Sequence, residues 1–209
     1  MISTPATTGQ KIQVWGYPGM EVDLGGVVRT FSDEEFLDFC RRHPDARIER
    51  ESDGEIIIMA PAYSETGGMN MSLSALVWVW ANQDGTGRSF DSSTGFTLPN
   101  RALRSPDASW ISFERWNALS DEDRAGFAKI CPDFVVELRS TSDSLAKVRA
   151  KMDEYMQNGA RVGWLIDPTK RAVTIYRLGV EPETLDDPIS ITADPELTGF
   201  TINMSEVWG

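Results

Sequence analysis

Phe134-Val135-Val136-Glu137-Leu138 is the most hydrophobic strand-like run in the chain, and it passes through Arg139-Ser140-Thr141-Ser142-Asp143 into the segment Leu145 to Asn158, stopped by Gly159. A short apolar run rich in Val and Phe reads as a strand, and a polar turn followed by a longer segment with a terminal glycine reads as a helix. Two further strand signals follow, Val162 to Ile166 up to Asp167-Pro168, and Ala172 to Arg177 up to Gly179. Strand, helix and strand in that order predict a right-handed crossover that lays two strands parallel in one sheet. The expected fold class is therefore α/β or α+β, a mixed, twisted central sheet flanked by helices.

The upstream sequence supplies the remaining layers. Residues 1–29, rich in Gly, Pro and Thr, read as an irregular N-terminal arm, and 30–209 as a single domain, as suits a chain of 209 residues. Ser32-Asp33-Glu34-Glu35 is a capping box that predicts a helix running to His43-Pro44. Arg47 to Glu51 and Glu55 to Ala60 flank the turn Ser52-Asp53-Gly54 and read as a hairpin. Met69, Leu73, Leu76, Val77, Trp80 and Ala81 recur at three- and four-residue spacings, predicting a helix over 65–83 that ends at Gly85. Strands are expected at 89–98 and 104–112, and a short helix near Ser120, where acids occupy the first turn.

Composition excludes several classes of function. The net charge of −12 opposes avid, non-specific nucleic-acid binding, yet seven of the acids lie in residues 180–209, which carry no Lys or Arg. The rest of the chain sums to only −5, which leaves room for a local basic patch. With Pro182, Pro188 and Pro195, the acidic tail reads as an edge strand and loop, the alternative being a protein-interaction segment. No apolar run approaches the ~18 residues of a membrane span, and the N-terminus lacks a basic, then apolar, leader. A cytoplasmic protein with no membrane partner is expected. Cys40 and Cys131 form no CxxC pair, which fits a reducing compartment. His43 is the single histidine, so zinc chemistry of the HExxH type is excluded, and GxGxxG, GxxxxGK[ST] and GxSxG are absent.

What remains for chemistry is carboxylates at strand positions. Asp107 follows Pro106 and opens a strand, while Glu137 interrupts an apolar one. On that strand Val135 and Glu137 share one face and Val136 and Leu138 the other, so one face must accommodate a charge that is costly to bury alone. A Mg²⁺ or Mn²⁺ ion shared with Asp107 would meet it. Glu137 at a half-solvated strand end, or paired with Arg139, would equally satisfy the sequence. Lys147, Lys151 and Tyr155 follow at i, i+4 spacing on one helical stripe. A lysine there suits orientation of a water or stabilisation of charge on a phosphate; a solvated basic stripe is the plainer alternative.

Pro106-Asp107, Glu137-Leu138-Arg139-Ser140, Lys151 with Tyr155, and Gly163-Trp164-Leu165-Ile166-Asp167-Pro168 together resemble the Uma2 family, also called DUF820, of restriction-endonuclease-like proteins. Arg47-Ile48-Glu49 and the run Gly54 to Pro61 are similar to its N-terminal hairpin, and the resemblance spans roughly residues 30–204. It implies a PD-(D/E)XK-like nuclease fold, Mg²⁺-dependent cleavage of DNA phosphodiester bonds, and a homodimer. Carried over by position, Asp107 and Glu137 are the metal-binding acids, Glu49 an additional acid, and Lys151, in preference to Lys147, the lysine. Arg139 stands where the simplest form of the motif has Lys. Where many relatives have a His after the hairpin, this chain has Asn70 or a neighbour, and no role is implied.

Two other classes of function remain open on the sequence. A catalytically inactive nuclease-fold binding or regulatory module is compatible with Arg139 and with the net charge. Glycoside hydrolysis also uses two carboxyls, but Trp78, Trp80 and Trp164 are expected in the core rather than stacked on sugar.

Overall fold

The computed structural model describes residues 31–208 together with the backbone of 12–15, and the chain divides into two compact units, Met1–Pro61 with Asn100–Leu103, and Ala62–Pro99 with Arg104–Gly209. In the first unit, four residues of the stretch expected to be irregular form a strand, β1 (Ile12–Trp15). Two β-branched residues and a tryptophan in four positions favour extended backbone, and β1 pairs in parallel with one side of the hairpin. The rest of that stretch lies outside the described residues. Helix α1 (Asp33–Arg42) starts at the capping box, with Ser32 Oγ accepting from Glu35 N–H and the Glu35 carboxylate accepting from Ser32 N–H. His43 is its C-cap and packs its ring on Phe39. β2 (Arg47–Arg50) and β3 (Ile56–Met59) form the hairpin, with Gly54 at φ 94° in the turn. Arg50 is buried against the Phe36 ring, pairs with Asp33 at 2.9 Å, and donates to Arg101 O at 3.0 Å.

The second unit opens with α2 (Ser64–Asp84), closed by Gly85 in the left-handed conformation at φ 69°. The two long strand signals that follow each split in two. The first gives β4 (Gly87–Asp91) and β5 (Phe96–Thr97), because Asp91 Oδ1 accepts from Ser93 N–H and from the Ser93 and Thr94 hydroxyls and turns the chain. The second gives β6 (Leu103–Arg104) and β7 (Ala108–Ser112), interrupted at Pro106, which has no N–H to give a ladder. Helix α3 (Phe113–Ala118), capped by Ser112, is too short to show a period in the sequence, and α4 (Asp121–Arg124) begins at the expected Ser120 cap.

β8 (Phe134–Leu138), α5 (Leu145–Gln157), β9 (Val162–Asp167) and β10 (Ala172–Arg177) follow the predicted order, and β8 and β9 are parallel. With β11 (Val180–Asp186) they complete a six-stranded mixed sheet in the order β11-β10-β9-β8-β7-β4. Alternation gives that sheet two different faces. Phe134, Val136, Leu138, Trp164 and Ile166 meet Leu73, Val77 and Ala81 of α2, while Val135 and Gly163 lie against Met152 of α5. A Cβ on Gly163 would stand 2.5 Å from Met152 Cε, so the missing side chain is what lets α5 approach.

The acidic tail is only partly the expected edge strand. β11 is exposed at the sheet edge, but β12 (Ser190–Thr192), β13 (Thr201–Asn203) and α6 (Ser205–Trp208) return Ile191, Ala193, Leu197, Phe200, Ile202, Met204 and Val207 to the core. Phe200 stacks on Trp164 with ring centroids 5.2 Å apart, and Phe134 meets Trp164 edge-on at 4.9 Å. Trp164 is fully buried and Trp80 partly so, whereas Trp78, expected in the core, is 60% exposed. Both cysteines are free thiols, and burial pushes Cys40 up to about 11 and Cys131 up to about 12. Among the described residues, no helix is long and apolar enough to cross a membrane.

Candidate active site

β7 and β8 are antiparallel, with Ala108 opposite Val136, Ser109 opposite Val135 and Trp110 opposite Phe134. Asp107 immediately precedes β7, and its N–H donates to Val136 O at 2.9 Å, which places it at the end of β8 that carries Glu137. With Asp107 bonded to the backbone on both sides of Glu137, at Val136 and Leu138, the pairing of β7 and β8 brings close two acids that are distant in sequence. Both are buried, Asp107 8% and Glu137 6% exposed.

Each acid is held by a different helix. Asp107 Oδ2 accepts from the Leu138 N–H at 2.8 Å, and Oδ1 from the side-chain amide of Asn70, on α2, at 2.8 Å. Ser74, one turn further along α2, donates to Asn70 Oδ1 at 3.4 Å. On the other acid, Glu137 Oε1 accepts from the Tyr155 hydroxyl at 2.9 Å and pairs with the Lys151 ammonium at 2.9 Å. Lys151 and Tyr155 reach the same oxygen because they stand one turn apart on α5.

Neither of the two plain readings of Glu137 matches this arrangement. The carboxylate is neither half-solvated nor paired with Arg139, whose guanidinium instead meets Asp167 Oδ2 at 2.7 Å and donates from Nε to Asp143 O at 3.2 Å. Asp167 closes β9, parallel to β8, so its carboxylate lies beside the end of the strand that Arg139 extends. Lys147 is exposed on the first turns of α5. Glu49 lies on β2 of the first unit, with its side chain buried.

Three residues at the site carried no role in the sequence reading. Tyr155 was visible there as the i+4 neighbour of Lys151 and Asn70 as a residue near where many relatives have a His, but Asp143 had no comparable signal. Asp143 Oδ2 accepts from the Ser140 N–H at 2.8 Å and so shapes the turn after β8. Partial burial raises the Asp143 carboxyl above its ordinary range and the Asp107 charge adds to this, while the Ser140 N–H, Lys151 and Arg139 oppose it. Asp143 thus stands within electrostatic reach of both Asp107 and Lys151.

The donor set can be tested against the divalent cation that the resemblance implies. Among the described residues, no group of three or more His, Cys, Asp or Glu is placed to hold a metal ion. Two buried carboxylates on adjacent strands are nevertheless hard oxygen donors of the kind Mg²⁺ takes in ones and twos, its other positions going to water and substrate phosphate. Both carboxylates are buried, and the Lys151 ammonium lies 2.9 Å from Glu137. The residues present fit the ion.

Comparison with known proteins identifies the family and the fold. The family model Uma2, described as "Putative restriction endonuclease", matches residues 33–205. A crystal structure described as "a putative nuclease belonging to DUF820", from Anabaena variabilis ATCC 29413, has a similar fold. Its TM-score is 0.69 at 21% sequence identity, over 84% of this chain and 96% of that one. No curated protein matches. With its mixed sheet flanked by helices and a family match that runs from the first helix almost to the C-terminus, the chain belongs to the Uma2 family of restriction-endonuclease-like proteins.

Proposed function

We propose that the chain is a Mg²⁺- or Mn²⁺-dependent endonuclease that hydrolyses DNA phosphodiester bonds, with Asp107 and Glu137 as the metal-binding acids and Lys151 beside them. The observation that carries this reading is the pair of buried acids Asp107, just before β7, and Glu137, on β8, with Asp107 bonded to the backbone on either side of Glu137 and the Lys151 ammonium 2.9 Å from Glu137. When bound, a divalent cation supplies Lewis-acid polarisation of the phosphate and a water of lowered pKa. The two acids fix where that ion sits. Lys151, with three N–H donors, one of them directed at Glu137, orients the attacking water and neutralises charge as it grows on the phosphate. Asp143, near both groups, limits how far the local charge turns positive. In this reading Glu49 is an additional acid, the protein works in the cytoplasm, and a homodimer supplies one such site for each strand of a duplex.

Nicking of supercoiled plasmid in Mg²⁺ and in Mn²⁺ tests the proposal. Wild-type protein should cut, and Asp107→Asn should lower the rate by at least about 100-fold, the scale of losing a group that stabilises developing charge. A variant that cuts as fast as wild type would refute the assignment. One observation favours a second reading, an inactive nuclease-fold binding module: the cation following Glu137 on its strand, Arg139, is committed to Asp167. DNA binding without cleavage in either metal would support that reading.

A further inference from the structure

Asp107 and Glu137 are each met by a neutral donor from a helix. The Asn70 amide reaches Asp107 Oδ1 from α2 at 2.8 Å, and the Tyr155 hydroxyl reaches Glu137 Oε1 from α5 at 2.9 Å. The two helices attach to opposite faces of the sheet, α2 through Leu73 and Val77 and α5 through Met152 against Val135 and Gly163. We infer that Asn70 and Tyr155 are positioning residues, each fixing one of the two acids in a single orientation toward a divalent cation. The inference rests on the proposed metal site and extends it to residues with no assigned role.

The chemistry of the donors supports this reading. An ionised carboxylate only accepts hydrogen bonds, so the contacts at Glu137 and Asp107 run in one direction, from Tyr155 Oη–H and from Asn70 Nδ2–H. The Ser74 hydroxyl on Asn70 Oδ1 sets which end of the amide turns to Asp107. Tyr155 is fully buried, and its rigid ring carries the hydroxyl to Glu137 with little freedom to lose. A neutral donor fixes the orientation of a carboxylate without itself adding a compensating charge. Groups one step behind a metal ligand typically change metal affinity about 10- to 100-fold when removed.

Titration calorimetry of Mn²⁺ into the full chain tests the inference without any cleavage assay. Tyr155→Phe removes one oxygen and keeps the ring, and Asn70→Ala removes the amide at a partly exposed position, so one variant can carry the test if the other fails to fold. Each should bind Mn²⁺ about 10- to 100-fold more weakly than wild type. Adding Tyr155→Phe to Glu137→Gln should weaken binding no further, because Tyr155 acts through that carboxylate. Folded variants that bind as tightly as wild type would overturn the positioning roles and leave the metal site standing. A wild-type chain that binds no Mn²⁺ would overturn the metal site and the inference with it.

Discussion

Two Pro-Asp dipeptides precede neighbouring strands, Pro106-Asp107 before β7 and Pro132-Asp133 before β8, and their carboxylates have opposite fates. Asp133 is fully buried. Its Oδ1 lies 3.0 Å from Arg115 Nη1, and its Oδ2 accepts from the Ser112 N–H at 2.9 Å. Its backbone is fixed as well, donating to Trp110 O and accepting from Arg161 and Val162. The Arg115 charge lies beside it and the Ser112 N–H bonds to it, so Asp133 ties α3 to the start of β8. Asp107, at the far end of the antiparallel pair, accepts from the Asn70 amide and from the N–H of Leu138, the residue after Glu137. Four residues of strand span about 13 Å, so Asp133 and Glu137 occupy one face but separate environments. Asp133 is thus bound into the fold by an arginine, whereas Asp107 lies beside a second acid, as the proposed metal site requires.

The largest difference between these acids should be in stability. Asp133→Ala removes the acceptor of the Ser112 N–H and the anion beside Arg115, and should lower unfolding free energy in urea by about 1–3 kcal/mol, the scale of leaving a buried donor unsatisfied. Asp107→Asn keeps an acceptor for Leu138 N–H, loses one hydrogen bond and removes one of two like charges. Its cost should stay at or below about 1 kcal/mol. Equal losses in the two variants would erase the distinction between a structural acid and a site acid.

A test of intermediate size concerns the seat of α5, which carries Lys151 and Tyr155. Gly163→Ala places a Cβ 2.5 Å from Met152 Cε and 3.1 Å from Val135 Cγ2. Over-packing of this kind costs about 1–3 kcal/mol and should push α5 outward, lowering thermal stability and, if the proposed site is correct, weakening Mn²⁺ binding too. Unchanged Mn²⁺ affinity in a destabilised variant would show that the seat of α5 and the site are independent.

The smallest effect should appear at Asp143. Burial raises its carboxyl in the folded chain, so the stability linked to its protonated form is complete below the unfolded carboxyl range and falls as pH rises through the folded value. Asp143→Asn removes that titration. Its stability relative to wild type should therefore be more favourable at pH 7 than at pH 3, as denaturation at the two pH values would show. The reverse order would mean that Ser140, Lys151 and Arg139 outweigh burial.

Much of the fold is local and therefore legible. The capping box at Ser32, the Gly54 and Gly85 turns, and the β8-α5-β9 succession all sit where short-range patterns place them. Local pattern fails where a long-range partner decides. β1 forms because β3 offers it an edge. The tail after Val180 looks like a charged loop, yet its scattered apolar residues, Ile191, Leu197, Phe200 and Ile202, fill the face opposite α5, since acids flanking a hydrophobe say nothing about where it points.

The site divides in the same way. The amino-acid sequence by itself determined that β8 has one wholly apolar face and one face carrying Glu137, because side-chain alternation is a property of a single strand. It also determined that Lys151 and Tyr155 share a helical stripe. Only the tertiary structure decided that Asp107, and not Asp133, comes to the end of β8 that carries Glu137, that Lys151 meets Glu137 while Arg139 turns to Asp167, and that Asn70 reaches Asp107 from α2. The physical reason is that strand register and helix docking are fixed by the packing of the whole sheet. A Pro-Asp dipeptide carries the same local information wherever it occurs.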